Sequence, residues 1–551
     1  MNSLDNIQKN HSNKIISSFF LIILIIGCFT FTDYGISIDE EFQRSSGYYW
    51  LSYVLDFTSF NNLATEVQNK YNDIKSFTLL SPETISFYGV IFDLPIALIE
   101  TLFNIESSRN YFFLRHLINF LIFFISSIFF YKLLLNRFNN FYVGFIGTIF
   151  YVLSPRIYGS SFYNNKDTLF LSLVTIALYY CFKSLDNLNY KNIIIFSIIS
   201  AICTSTRIIG IFIPVSFLLI FLMSKTSDKI NYKTIYKILF YIILYYFFLV
   251  IHWPFLWEAP IKNFIWLITS TDQFLIKMEV MFSGNYFKSN LLPFSYLPTW
   301  IIISTPVIHL IFFFLGSFYV FRRILIRFTN IKENNNFSDF WRGNKEKKDF
   351  YIFFSFLICF IYLIFIHKTF FNGWRHSYFL NIFLVYFSTY GFYLVYNNIK
   401  IIKKKIMLLL LVLLMTFFLA GRMLIYHPYQ NIYFNFLVTD VMKQGFDIDY
   451  NGLSGIDFLQ KILVNYDNKK INIAVASYLP LERSLALLKE SDKKKINIVG
   501  QEYAIADYIF SNNISEVNKK LNNKYKIPNN FTKIDELIID DAKVYNVYRR
   551  N

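Results

Sequence analysis

The chain has 551 residues, 55% of them hydrophobic, with 66 Phe and 41 Tyr and a mean hydropathy of +0.39. A soluble domain could not cover that much apolar side chain, so the composition excludes a soluble protein and points to a polytopic α-helical membrane protein. The net charge is +16, but much of the excess falls in short loops between apolar runs and reads as membrane topology rather than nucleic-acid binding. The four cysteines, Cys28, Cys181, Cys203 and Cys359, lie in apolar segments without metal-ligand spacing and read as packing residues.

Eleven segments are expected to span: 15–32, 111–135, 140–155, 168–184, 191–205, 207–224, 234–252, 297–321, 350–367, 376–397 and 405–421. Each is about long enough for a hydrocarbon core of roughly 30 Å. The first follows a weakly basic leader and shows no small-x-small cleavage site, so it reads as a retained anchor. The apolar stretch 85–103 contains Asp93, Pro95 and Glu100, which argues for a re-entrant or interfacial helix under the first outer loop. Four basic loops set the orientation: Lys132 with Arg137; Lys225, Lys229, Lys233 and Lys237; Arg322, Arg323 and Arg327 through Lys348; and Lys400 with Lys403, Lys404 and Lys405. With these loops cytoplasmic, the N-terminus is inside and the C-terminus outside.

After residue 421 the chain turns polar. Strand-like runs at 471–476, 496–499, 508–510 and 544–547, with a helix at 456–464, predict a small α/β domain outside the membrane. The expected division is thus a membrane domain over 1–421, with a first outer loop at 33–110, and a second domain over 422–551.

The motifs with chemical potential gather at one end of the spans. Asp39-Glu40-Glu41 follows the first span, where a carboxylate can deprotonate a hydroxyl or help bind a metal; a solvated acidic loop is the plainer alternative. Arg115, His116 and Asn119 open the 111–135 helix, and Arg115 and Asn119 share a face. The loop from Ser154 holds Arg156, Tyr163, Asn164, Lys166 and Asp167, the last also a natural helix-start acid. Arg207 lies between two apolar runs, and Trp257-Glu258 ends an aromatic exit that also fits an interfacial belt. Arg375-His376 precedes a span, and His427, Tyr433 and Asn435 follow the last one. Carboxylates and several cations at lipid depth suit a substrate that is both lipid-anchored and phosphorylated, held through bidentate Arg contacts.

At these residues the chain resembles the GT-C class of glycosyltransferases, and most of all the bacterial relatives of the dolichyl-phosphate-mannose protein mannosyltransferases (glycosyltransferase family 39). The resemblance rests on the Asp39-Glu40 pair, the Arg-His-x-x-Asn helix start, the Ser-Pro-Arg…Phe-Tyr-Asn-x-Lys-Asp loop, Gly-Trp-Arg-His, and His-Pro-Tyr-Gln-x-x-Tyr-Phe-Asn, across roughly residues 15–440. It implies an inverting transfer of a sugar from a polyprenyl-phosphate sugar to an acceptor hydroxyl on a protein, lipid or glycan, at the outer face of a bacterial inner membrane. It makes Asp39 the general base, with Glu40 supporting it. Arg115, Arg156, Lys166, Arg207 and Arg375 become candidate phosphate ligands, and Asp167 a residue that positions the sugar or Lys166. No obligatory cofactor is expected, although Asp39 and Asp167 could share a divalent cation. Nothing in the chain resembles the β-trefoil insert of eukaryotic protein mannosyltransferases or the tryptophan-rich motif of oligosaccharyltransferases. A transporter or flippase of lipid-linked solutes and a membrane assembly protein are the alternatives. Transporters favour midplane sites and paired repeats, and neither is evident here.

Overall fold

The computed structural model describes residues 2–75, 85–223, 232–270, 278–329, 340–366, 369–371, 373–464 and 470–551. Lys225, Lys229 and part of the basic run before Lys348 lie outside the described residues. Within them, seven helices are long and apolar enough to cross a membrane: Asn10–Thr30, Ser108–Phe138, Asp167–Asp186, Tyr232–Ile251, Val307–Thr329, Gly343–Ile366 and Ile402–Ile425. The chain is a multi-pass membrane protein.

Phe141–Val152 and Pro155–Tyr163 add an eighth crossing if taken together, with a bend of 61° between them. Pro155 explains the bend. It has no N–H to continue the first helix, yet its fixed φ suits the first turn of the next. The second half then turns into protein, and every residue of Pro155–Tyr163 is buried.

The count of seven or eight by length and composition is lower than the eleven spans expected, although each of those segments contains helix among its described residues. Tyr190–Thr206 and Ile208–Met223 are shorter apolar helices. The expected 297–321 segment divides at Pro306 into Tyr296–Ser304 and Val307–Thr329. Leu380–Asn398 is buried without interruption from Leu380 to Phe392 and carries Tyr386, Ser388, Thr389 and Tyr390, so its surroundings are protein rather than lipid. It packs backbone to backbone on Val307–Thr329. A Cβ on Gly316 would lie 2.0 Å from the Phe387 carbonyl oxygen, and one on Gly391 would lie 2.1 Å from that of Phe312. Glycine is what allows helices to approach so closely.

The segment 33–110, expected as the first outer loop, contains Glu40–Leu55, Asn61–Lys75 and Asp93–Leu102. The last is only ten residues, about 15 Å, too short to span. It packs closely on Glu40–Leu55, where a Cβ on Gly47 would meet the Asp93 carbonyl oxygen at 2.4 Å.

A hairpin of β1 (Glu279–Phe282) and β2 (Asn285–Lys288), not anticipated from the sequence, lies before Val307–Thr329. The last helix runs to Ile425, a few residues beyond the expected domain boundary. Beyond it lies a five-stranded sheet of β3 (Ile471–Val475), β4 (Ile496–Ile498), β5 (Tyr508–Ser511), β6 (Phe531–Ile539) and β7 (Ala542–Arg550), in the order β4-β3-β5-β7-β6. β3 runs parallel to β4 and β5, whereas β7 is antiparallel to β5 and β6. Gly455–Val464 packs on the sheet through Phe458, which meets the rings of Phe510 and Tyr545.

The opposite end of the bundle is stapled by buried charge. Arg137 donates two hydrogen bonds of 2.6 Å to Asp349, which also accepts from Arg323 at 2.9 Å and from Tyr386 at 2.7 Å. These basic residues belong to the loops expected in the cytoplasm, and the acidic motifs lie at the other end of the same helices.

Candidate active site

The three consecutive acids meet three different partners. Asp39 occupies the N-cap position of Glu40–Leu55 but caps nothing, and its carboxylate instead accepts a hydrogen bond from Arg375. The Asp39 side chain is 39% exposed and that of Arg375 only 4%. The acid therefore keeps an open face while its partner is enclosed. Burial alone would lower the Arg375 pKa, but Asp39 and Asp167 together hold it above the usual arginine value.

Glu40 points inward. It accepts the Ser37 N–H at 2.6 Å and lies 3.0 Å from His116 Nε2, while His116 Nδ1 lies 3.3 Å from the Phe31 carbonyl oxygen. At 1% exposure, Glu40 folds the loop and cannot meet a substrate in this arrangement. Glu41 accepts from Arg483 of the sheet domain at 2.9 Å.

A second acid–guanidinium pair sits nearby. Asp167, at the start of Asp167–Asp186, accepts from Arg207 and, at 2.8 Å, from Asn164. Asn164 Oδ1 in turn takes the Asp167 N–H at 2.9 Å, which fixes the acid at the helix start. Tyr88 lies within electrostatic reach of Arg207, Asp39, Asp167 and Arg375, so the two pairs share one neighbourhood around a phenol. Burial pushes the Tyr88 hydroxyl up from its ordinary pKa. Arg207 Nε and Arg375 Nε are buried without a hydrogen-bond partner. A buried unsatisfied donor costs about 1–3 kcal/mol, a penalty that an arriving anion would remove.

Arg115 and Lys166 are arranged differently. Asp93 accepts from Arg115 at 2.5 Å, Lys166 at 2.6 Å and Asn165 at 2.8 Å. Glu100, two helical turns on, pairs with Arg44 at 2.8 Å and with Arg115 at 3.7 Å. The acids that made 85–103 an anomalous apolar stretch are thus the counter-charges of cations expected to bind phosphate.

Arg156 is buried between two rings, 4.9 Å from the centroids of both Trp300 and Phe434. It donates to the Tyr433 carbonyl at 2.9 Å and to the Tyr450 hydroxyl at 3.4 Å. This is a cation–π seat with neutral acceptors.

The remaining expected residues frame the site or lie apart from it. Tyr163 is buried near the Ser160 and Asn451 side chains, and Asn119 donates to Thr168 at 3.4 Å. His376 stands edge-on to Phe371 at 4.7 Å. His427 pairs with Asp33 at 2.8 Å, and Asn435 donates to the carbonyls of Ile302 and Thr305. Trp257 and the exposed Glu258 meet Tyr53. Tyr53 is fourteen residues along the helix from Asp39, about 20 Å away, so this pair is not brought to the acid centre. Sequence reasoning did not place Tyr88, Asn165, Tyr450 or Arg483 at the site.

Among the described residues no group of three or more His, Cys, Asp and Glu is arranged to hold a metal ion. No family model matches the chain. No curated protein matches it. The similar solved structures include two of one protein. ArnT from Cupriavidus metallidurans in the apo state aligns over 97% of this chain and 98% of its own, at 8% identity and a TM-score of 0.46. The same protein bound to undecaprenyl phosphate aligns over 96% of this chain and 97% of its own, at 10% identity and a TM-score of 0.43.

Proposed function

We propose that the chain is a membrane glycosyltransferase that moves a sugar from a polyprenyl-phosphate donor to an acceptor hydroxyl. The observation that carries this reading is the pair of buried, unsatisfied arginine nitrogens, on Arg207 and Arg375, beside the open carboxylate of Asp39. That combination suits a reaction in which one group loses a proton while another leaves as phosphate.

In the proposed step the acceptor oxygen attacks the anomeric carbon from the side opposite the phosphate, and its proton passes to Asp39. The bond between the anomeric carbon and the phosphate oxygen breaks, and the phosphate keeps the electron pair. Arg207 and Arg375 stabilise that developing charge from fixed positions. In the unliganded arrangement Arg375 is held by Asp39. A phosphate that takes over the guanidinium's hydrogen bonds where it sits frees the carboxylate as a base, so donor binding and base activation are coupled. Arg115, whose Nε and Nη1 are likewise buried without a hydrogen-bond partner, and Lys166 are paired with Asp93 and are further candidates for the donor phosphate. Asp167 orients Arg207, and Glu40 supports Asp39 through the fold of the loop. The site and the sheet domain are assigned to the periplasmic side of an inner membrane, with the N-terminus in the cytoplasm. The acceptor class is a protein, lipid or glycan hydroxyl.

The test is label transfer from a panel of radiolabelled polyprenyl-phosphate sugars by purified protein with membrane extract, wild type against Asp39→Asn. A new labelled product with wild type alone supports the reading. Equal transfer by the variant removes Asp39 from the base role, and no turnover of any donor by folded wild type overturns the reading.

A further inference from the structure

The sheet domain reaches back to the acid. Both backbone polar groups of Ile38, the residue before Asp39, are held by residues beyond 440. The Ile38 N–H donates to the Asn451 carbonyl at 3.0 Å, and the Ile38 carbonyl accepts from Arg483 at 2.6 Å. The same guanidinium holds Glu41 at 2.9 Å, so Arg483 straddles Asp39, one contact on each side. Gly35 extends this contact, since a Cβ there would lie 2.2 Å from the Leu453 carbonyl oxygen.

The turn that supplies Asn451 and Leu453 is itself fixed. Asp449, fully buried, accepts the Leu453 N–H at 3.0 Å, the Ser454 hydroxyl at 2.6 Å and the Asn512 amide at 3.2 Å. A continuous path therefore runs from the end of β5 through Asn512, Asp449 and the 449–454 turn to Ile38. A second contact ties the domain to the start of Ser108–Phe138, where Ser108 donates to the Ala486 carbonyl at 2.7 Å and accepts from Lys493 at 2.9 Å.

We infer that the sheet domain is part of the reaction centre and that Arg483 is a positioning residue, which sets the Asp39 carboxylate by gripping the loop on both sides of it. An ordinary domain contact would need only surface area. Here both backbone hydrogen-bonding groups of one residue, adjacent to the proposed base, are satisfied by the domain. Bound groups must sit within a fraction of an ångström of productive geometry, and small misplacements cost rate steeply. The functional half of this inference rests on the glycosyltransferase reading; the structural half does not.

Two measurements on the full chain in lipid nanodiscs test it. The first is amide hydrogen exchange in wild type and Arg483→Ala, with Glu41→Gln weakening the same ion pair from the loop side. Residues 37–43 should exchange about tenfold faster in Arg483→Ala, with exchange in Ser108–Phe138 unchanged, because only the local opening is made easier. Unchanged exchange at 37–43 overturns the clamp. The second is transfer kinetics. Arg483→Ala should lower kcat by about tenfold to a hundredfold at unchanged donor KM, and Arg483→Lys should recover part of it. Faster exchange with unaltered kcat overturns the positioning role. If wild type transfers no label from any donor, the glycosyltransferase reading fails while the exchange comparison still decides the clamp. If Arg483→Ala does not fold, Glu41→Gln decides on the same two readouts.

Discussion

Arg375 meets Asp39 across 336 residues of sequence, and the cation is enclosed while the acid is open. The asymmetry gives the two residues different tasks. The enclosed guanidinium cannot leave its seat, so it suits an anion that comes to it. The open carboxylate suits a substrate hydroxyl. Asp39→Asn removes the proton acceptor while preserving size, and transfer should fall about a hundredfold to ten-thousandfold. Arg375→Ala should instead weaken donor use and remove the competition for Asp39. Steady-state transfer with varied donor separates the two: a pure kcat loss for Asp39→Asn and a combined KM and kcat loss for Arg375→Ala. Unchanged turnover in either variant would remove that residue from its role.

Asp93 neutralises two buried cations, Arg115 and Lys166, at 2.5 and 2.6 Å. Breaking a buried pair by removing one partner costs about 3–5 kcal/mol, because a charge is left uncompensated. Here one substitution strands Lys166 and leaves Arg115 only its longer contact with Glu100, at 3.7 Å. Asp93→Ala should therefore lower the thermal unfolding midpoint of the detergent-solubilised protein more than Asp39→Asn, whose site is open to solvent. Equal midpoints for the two variants would mean that Asp93 is not the structural centre of this cluster.

Much of this was legible in the sequence. Asp39, Arg375 and Asp167 stood out because charge at the edge of an apolar segment is expensive and therefore purposeful. Their partners were hidden, because pairings such as Asp39 with Arg375 or Glu41 with Arg483 join distant segments and leave no local pattern. Asp93 and Glu100 did leave a signal, as acids inside an apolar stretch, but hydropathy could not say which cations they neutralise. The strand β6 was missed for a different reason. It is an edge strand with Thr532, Lys533, Ile534 and Asp535 all exposed, so it lacks the alternation that identifies a half-buried strand. The expected spans without a long apolar helix are those of the short Phe141–Val152, Tyr190–Thr206 and Ile208–Met223 and of Leu380–Asn398, which carries polar side chains.

The close crossing of Val307–Thr329 and Leu380–Asn398 depends on Gly316 and Gly391. A Cβ on Gly391 would lie 2.1 Å from a backbone oxygen, which cannot rotate away as a side chain would. Gly391→Ala must separate the two helices, and overpacking of this kind typically costs about 1–3 kcal/mol. The variant should show a lower unfolding midpoint and reduced yield of folded protein. Gly421→Ala, with nothing within 4 Å of the added Cβ, is the control that should behave as wild type. A normal midpoint for Gly391→Ala would show that the helix pair tolerates a wider crossing.

Asp447 links the sheet domain to the β1–β2 hairpin by accepting the Met281 N–H at 3.1 Å. Burial raises its carboxyl from an ordinary 3.8 to about 7, against the opposing pull of that hydrogen bond and of Lys519. The sign of the linkage follows from the direction of the shift. Below about pH 4 folded and unfolded chains are both protonated at this position, and Asp447 contributes no pH dependence. Between about pH 4 and 7 the unfolded chain releases the proton while the folded one keeps it, so stability falls as pH rises. Above about pH 7 both are ionised and the loss levels off, at an order of 4 kcal/mol. Asp449, raised by burial to about 6, acts in the same direction over a narrower window. The unfolding midpoint of the sheet domain should therefore be higher at pH 5 than at pH 8. Asp447→Asn keeps the acceptor for Met281 and removes the titration, so it should narrow that difference chiefly by raising the midpoint at pH 8. A variant with the wild-type difference would mean that Asp447 is already ionised in the folded protein at pH 5.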